Sequence, residues 1–331
     1  MKKIHRFLWI ALAFAVLLGS LAGCASSQKA KTVRFADVGW DSILFHNAVA
    51  GTVAKNVFGY EWTEVSGSTP ITHEALKKGE IDVHMEVWTD NLSSYDSDIA
   101  AGELQEVGVN FDDNAQGFYV PRYVIEGDAA RGIEPLAPEL KSVADLKDYA
   151  DLFKDPEDPS KGIIYGGIAG WEITEIMHKK YLYYGLDATY NYIEPGTDAA
   201  TSAVLVSAYD KGEAVVAYYW EPTWLLGKYD FVLLEDAPYD PELYYEGKTA
   251  CPSVRVTICV SNEFYESDPE FTAFLSSYHT SSAMTSQALA YMQDTGANYE
   301  AAAVWFLNEN RSLVEGWLTS DQAAKLYAAI G

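Results

Sequence analysis

A chain of 331 residues with 48 acidic and 23 basic side chains carries a formal net charge of −25 at pH 7. So strong a negative balance argues against nucleic acid or any other polyanion as a partner. The length allows a large core, which chains of this size usually divide between two lobes.

At the N-terminus Lys2, Lys3 and Arg6 precede an apolar run over residues 7–18. A charged stretch followed by an apolar one too short to cross a bilayer is the pattern of a secretory leader. The run closes on LAGC, which resembles a lipobox: removal of residues 1–23 would leave Cys24 to carry the lipids. The polar ASSQKAK that follows suits a lipidated tether over 24–31, holding a folded domain outside the cytoplasmic membrane. An ordinary secretory signal with a chance cysteine is the alternative. Cys251 and Cys259 are the other two cysteines, both in ACPSVRVTICVS. An oxidising compartment would permit a disulfide between them. A single extended strand would hold them far beyond bridging distance at roughly 3.3 Å per residue, so free thiols are the favoured reading.

Strand-like and helical patterns then alternate, as in a parallel or mixed α/β sheet. Residues 32–37 read as a first strand and 41–58 as a helix capped by Asp41 or Ser42. A strand at 60–65, a helix at 69–78 and the strand IDVHMEVW follow. QGFYVPRYV reads as a strand crossing to a second lobe. That lobe continues through a proline-containing stretch at 128–159, with a short helix at SVADLKDYADLF, and through the strand IIYGGI. Helices at 174–184 and 199–211 and the strand EAVVAYYW complete it. Residues 252–260 return to the first lobe, and the remainder is mostly helical to SDQAAKLYAAI. The expected fold is α/β and two-lobed, with a central mixed sheet flanked by helices in each lobe. Lobe 1 is assigned residues 32–118 and 252–331, lobe 2 residues 119–251, and the ligand the cleft between them.

Three tryptophans stand where apolar runs break into polar loops: Trp88 in HMEVWTDN, Trp171 in GIAGWEIT and Trp220 in AVVAYYWEPTW. The C-terminal ends of strands in open α/β sheets collect ligands. Aromatic faces attract a cation, and a quaternary ammonium has no N–H that would need any other partner. A cage with Trp88 on one lobe and Trp171 and Trp220 on the other would grip such a cation only on closure, a hinge mechanism. Trp40 and Tyr119 are further candidate walls. Gly170, Trp171 and Glu172 form a strand-to-helix turn whose free amides and helix dipole favour an anion.

Together with DVGWDSILFHNAVAG, LKKGEIDVHMEVWTDN, QGFYVPRYV and YYWEPTWLLGKYDFVLLEDAP, these motifs make the chain similar to the glycine betaine and quaternary-amine binding proteins of ABC importers. The resemblance runs from about residue 33 to the C-terminus. It implies a type II periplasmic-binding architecture and an extracytoplasmic, lipid-anchored solute-binding protein that delivers a small quaternary ammonium compound, of glycine betaine or proline betaine type, to an ABC permease and its ATPase. It implies a box of three or four aromatics, with Trp88, Trp171 and Trp220 at the matching positions, and no cofactor or metal. It also implies a histidine near one of the tryptophans for a ligand carboxylate, and here Thr223 and the loop TDNL occupy those positions.

Glu86, Asp90, Glu172 and Glu221 flank the three tryptophans. A carboxylate facing the pocket would attract a cation and repel a ligand carboxylate, which makes choline, or another cationic amine without a carboxylate, the competing ligand. Alternatively, Glu172 complements its own helix dipole and Glu86 alternates away from the face that Trp88 occupies. Arg122 and Arg255 are candidate partners for a ligand carboxylate, with the protein surface as the other reading. The histidines lack an HExxH context, and neither a nucleophile motif nor a Gly-rich phosphate loop is evident, so no enzymatic activity is expected. A sensory lipoprotein on the same fold is the remaining alternative.

Overall fold

The computed structural model describes residues 31–331. The leader, Cys24 and all but the last residue of the tether lie outside them. The first lobe opens with β1 (Thr32–Asp37) and α1 (Asp41–Val53), which runs on as a π-helical segment at Ala54–Phe58. It continues through β2 (Glu61–Ser66), α2 (Thr69–Lys77), β3 (Val83–Trp88), α3 (Tyr95–Ala101) and β4 (Gln105–Phe111). The second lobe holds β5 (Gln116–Pro121), α4 (Arg122–Glu126), β6 (Gly162–Tyr165), α5 (Glu172–Tyr183) and β7 (Tyr190–Ile193). After these come α6 (Asp198–Lys211), β8 (Ala217–Trp220), α7 (Trp224–Lys228), β9 (Phe231–Leu233) and α8 (Pro241–Tyr244). The chain then returns through β10 (Val256–Val260) and ends in α9 (Asn262–Ser267), α10 (Pro269–Ser277), α11 (Ser282–Thr295), α12 (Tyr299–Glu309), α13 (Arg311–Trp317) and α14 (Ser320–Ile330). The short helix expected within 142–153 is a 3-10 segment, Val143–Asp148, fixed by a capping box between Ser142 and Asp145.

Two five-stranded mixed sheets result, β2-β1-β3-β10-β4 and β7-β6-β8-β5-β9. In each, three neighbouring strands pair in parallel, a strand from just past a crossing runs against them, β10 in one and β5 in the other, and the fifth, β4 or β9, pairs antiparallel with that strand. The lobe boundary expected at 118/119 falls inside β5. Gln116 already pairs with Trp220, so the first crossing lies at 112–115. The return crossing runs beside it: the Asn114 side chain donates to Val254 O at 2.6 Å and accepts from Val254 N at 3.0 Å. This amide ties together the two segments that any hinge motion must bend.

Helix α1 is buried nearly all round because it is covered on both sides. Phe35 and Val33 of β1 lie beneath it with Ile43 and Val49, while Phe45 meets Phe306 of α12 edge to face at 5.3 Å. Each such aliphatic or aromatic side chain contributes about 1.5–3 kcal/mol by leaving water. The expected N-cap, Asp41 or Ser42, is corrected to Trp40, which holds extended backbone at the cap without a side-chain bond. The two polar residues have other partners: Ser42 Oγ donates to Glu86 at 3.1 Å, and Asp41 accepts from Tyr299 Oη at 2.6 Å. Cys251 and Cys259 are free thiols.

Candidate ligand-binding cleft

The two lobes share one local plan, and it positions the tryptophans. Both sheets order their parallel strands second-first-third, so β6 corresponds to β1 and β8 to β3. The loop after β1 delivers Trp40 to the N-cap of α1, and the loop after β6 delivers Trp171 to the N-cap of α5. β3 ends on Trp88, as β8 ends on Trp220. Adjacent strands whose connections leave in opposite directions open a crevice at their carboxyl ends. Four indoles therefore converge, two from each lobe. Gly170 permits the last turn before Trp171 with a φ of +92°, in the left-handed region that favours glycine.

Trp171 is the centre of the arrangement. Its ring lies 5.0 Å from Trp40 at 85° and 5.0 Å from Trp220 at 79°, both edge to face. Its Nε1 donates to Val38 O of the opposite lobe at 3.2 Å. Trp220 stacks on Tyr218 at 6.0 Å, and Trp88 meets Phe111 edge to face at 5.9 Å. The four indoles and Tyr218 line a cavity of about 530 Å³, open space at its mouth included, together with Thr69, His73, His84, Glu86, Asn91 and Leu92. Other bonds join the lobes around it: Ser93 Oγ donates to Glu172 at 2.7 Å, Tyr244 Oη to Asn91 at 2.6 Å, and Asn91 and Gln116 exchange amide bonds at 3.1 Å.

Glu86 is fully buried within this wall. Its Oε2 accepts from Trp40 Nε1 at 2.7 Å, Ser42 Oγ at 3.1 Å and Trp88 Nε1 at 3.3 Å. Its Oε1 has no hydrogen-bond partner and lies 3.5 Å from His46 Nε2. Burial raises its pKa to about 7 against the opposing pull of those three donors. Burial has the opposite effect on His46 and His84, which it lowers to about 3, leaving both imidazoles neutral. The alternation expected to turn Glu86 away from Trp88 is corrected, because residues two apart on a strand share a face. His84, Glu86 and Trp88 all line the cavity for that reason.

Other sequence candidates are placed differently. Trp88, Trp171, Trp220, Trp40 and Glu172 line the cavity, and Gly170 does not: it lines a neighbouring groove with Ser93, Trp171 and Glu172. Tyr119 does not reach it. It pairs with Ala217 and Leu233 across the sheet and is buried on the other face. Asp90 accepts from Tyr239 at 3.2 Å, and Glu221 is partly buried but does not line the cavity. Arg122 pairs with Asp230 and Glu126, and Arg255 with Glu106, both away from the cavity. Residues not singled out from sequence are Ser42, His46, His73, His84 and Tyr218. Among the described residues, no cluster suited to a metal ion occurs.

Residues 31–309 match the family described as the substrate binding domain of ABC-type glycine betaine transport systems. A solved ABC-transporter choline binding protein in complex with choline superposes with a TM-score of 0.70, at 22% identity, over 91% of this chain and 98% of that one. Lactococcal OpuAC, closed and complexed with glycine betaine, gives a TM-score of 0.67 at 18% identity over 87% of this chain and 99% of that one. A Chromohalobacter salexigens protein, itself described as uncharacterized, is 29% identical over 131 residues, 39% of this chain and 77% of its own length.

Proposed function

The chain belongs to the family of substrate-binding domains of ABC-type glycine betaine transport systems, and from that premise we propose that its own ligand is a small quaternary ammonium compound. It captures this ligand between four indoles and presents it to an ABC permease and ATPase. The observation that carries the reading is the convergence of Trp40, Trp88, Trp171 and Trp220 on one cavity, two from each lobe. A desolvated ring contributes about 2 kcal/mol to a cation over its face, so a few rings supply much of the ~8 kcal/mol that micromolar affinity requires. Because no single lobe carries more than two of the four, affinity depends on closure.

A betaine-type zwitterion is the reading that the family alone supports. Its carboxylate would be taken by the first-turn amides of α5 and the positive end of that helix. Choline is the reading that the cavity lining favours: among the described residues, Glu86 and Glu172 line the inner cavity, and no Lys or Arg does. A thermal-shift series with glycine betaine, proline betaine, choline, carnitine and free amino acids tests the function. Ligand at about a hundred times its Kd stabilises by ~2.7 kcal/mol, which raises Tm by several degrees. No shift with any quaternary amine, or a larger one with a sugar or peptide, would sink this reading.

Delivery requires the protein to stay near its permease, and a lipid on Cys24 would hold it there. Among the described residues no helix is long and apolar enough to cross a membrane. A Cys24→Ala variant is therefore expected to leave washed membranes and appear in the soluble extracytoplasmic fraction. Retention in the membrane pellet would rule out the anchor. Ligand uptake in proteoliposomes holding the partner permease and ATPase separates import from the alternative, a sensory lipoprotein.

A further inference from the structure

We propose that Glu86 is the specificity-determining residue of the cage: it orients two of the four indoles and selects ligands that are net cations over zwitterions and neutral isosteres. The proposal rests on the function given above and adds what decides among ligands of that class. Glu86 stands on lobe 1 alone, since the corresponding position on β8 is Tyr218, whose hydroxyl is turned to Gln116 at 2.9 Å. One carboxylate oxygen holds the N–H of both lobe 1 indoles, at 2.7 Å and 3.3 Å. Ring orientation is thereby set before any ligand arrives. Donation of an indole N–H to an anion also pushes electron density into the ring, which strengthens the attraction of its face for a cation.

The second oxygen, Oε1, is buried and without a hydrogen bond, and its near neighbour His46 is neutral. Among the described residues no Lys or Arg lines the inner cavity, so the charge behind the rings lacks a cation from them. A ligand ammonium supplies one. A ligand that brings its own carboxylate into the same cavity meets repulsion from Glu86 and from Glu172, and a neutral isostere gains nothing from the charge.

The titratable groups around Glu86 are His46 from α1, Tyr278 after α10 and His84 on its own strand, with His73 of α2 and Glu172 of α5 elsewhere in the cavity lining. His46 and His84 stay neutral at working pH, and burial pushes Tyr278 up beyond it. Glu86, with a pKa of about 7, is then charged on the alkaline side of neutrality and protonated on the acid side.

Calorimetry on the full chain with choline, glycine betaine and dimethylbutanol, the uncharged carbon isostere of choline, tests the assignment. Glu86→Gln keeps an acceptor for the indoles and removes the charge. It is expected to weaken choline about tenfold or more while leaving dimethylbutanol within about twofold and glycine betaine equal or tighter. Glu86→Ala removes the acceptor as well and is expected to weaken all three. Equal loss of choline and dimethylbutanol in the Gln variant, or no loss of either, overturns the proposal. So does unchanged dimethylbutanol binding in the Ala variant. Should the Gln variant fail to fold, the wild-type protein decides: choline affinity should fall as pH is lowered through about 7 and dimethylbutanol affinity should not. A flat choline profile overturns the proposal. Failure of every quaternary amine to bind the wild type is a separate outcome that removes the proposed function itself.

Discussion

Trp171→Ala is expected to weaken quaternary-ammonium binding about a hundredfold, and Trp220→Ala nearly as much, with the fold intact. The magnitude follows from what the Trp171 ring touches. It loses a cation–π contact worth about 2 kcal/mol when desolvated, and two edge-to-face contacts, with Trp40 and Trp220, each worth about 0.5–1.5 kcal/mol. Part of the second sum is already present without ligand, so about 3 kcal/mol, or a factor near a hundred, remains. The bond from Trp171 Nε1 to Val38 O adds a lobe-to-lobe tie that the variant also loses. The helix behind it should survive, because Trp171 caps α5 through its backbone and makes no side-chain cap bond. Calorimetry measures the affinity, and the melting temperature of the unliganded variant should stay within a few degrees of wild type. Wild-type affinity in both variants would remove the cage from consideration.

The meeting of the four indoles was legible in sequence because they sit where the chain changes from apolar to polar, and such changes mark strand ends. That signal is local. Trp88 and Trp220 are the last residues of β3 and β8, and Trp40 and Trp171 are the helix caps that follow β1 and β6. Tyr119 failed the same test because strand position was not combined with strand face. Residues directly opposite on antiparallel strands share a face, so Phe118 lies with Tyr218 and Gln116 with Trp220, whereas Tyr119 lies with Ala217 on the other side. The same parity argument, applied to HMEVW, would have put Glu86 on the side of Trp88. The crossing at 112–115 was not legible for a different reason. QGFYVP is as apolar as any crossing strand, and the pairing that assigns it to the second sheet joins residues about a hundred positions apart. Nor does any local pattern bring His46 to Glu86, since tertiary packing of α1 on the sheet makes that contact.

Lys180 carries the other large expectation. In EITEIMHKKYLY it is one of two adjacent lysines, its side chain is 1% exposed, and its ammonium donates to Asp236, itself nearly buried, and to the carbonyl of Thr249. Asp236 is held in turn by Tyr184 Oη and by the amide of Ala237. The chain packs so closely here that a Cβ on Gly247, whose φ is +70°, would collide with the Lys180 backbone. Lys180→Met removes one partner of a buried pair and leaves the Asp236 carboxylate without a counter-charge, which costs about 3–5 kcal/mol. For a protein of this size that corresponds to a fall in Tm on the order of 10 °C. Adding Asp236→Asn should restore most of the loss, because the unpaired charge rather than the missing contact dominates it. The effect reaches the site, since Lys180 anchors the rear of α5, whose first turn carries Trp171 and Glu172, to the segment that leads into the return crossing. The single variant is therefore expected to bind quaternary amines more weakly even well below its melting temperature, and the double variant to recover both properties together. A single variant that melts within a degree or so of wild type would mean the pair gives no net stability. Recovered stability with binding still weakened would mean that α5 needs the lysine itself to hold Trp171 against Trp40 and Trp220.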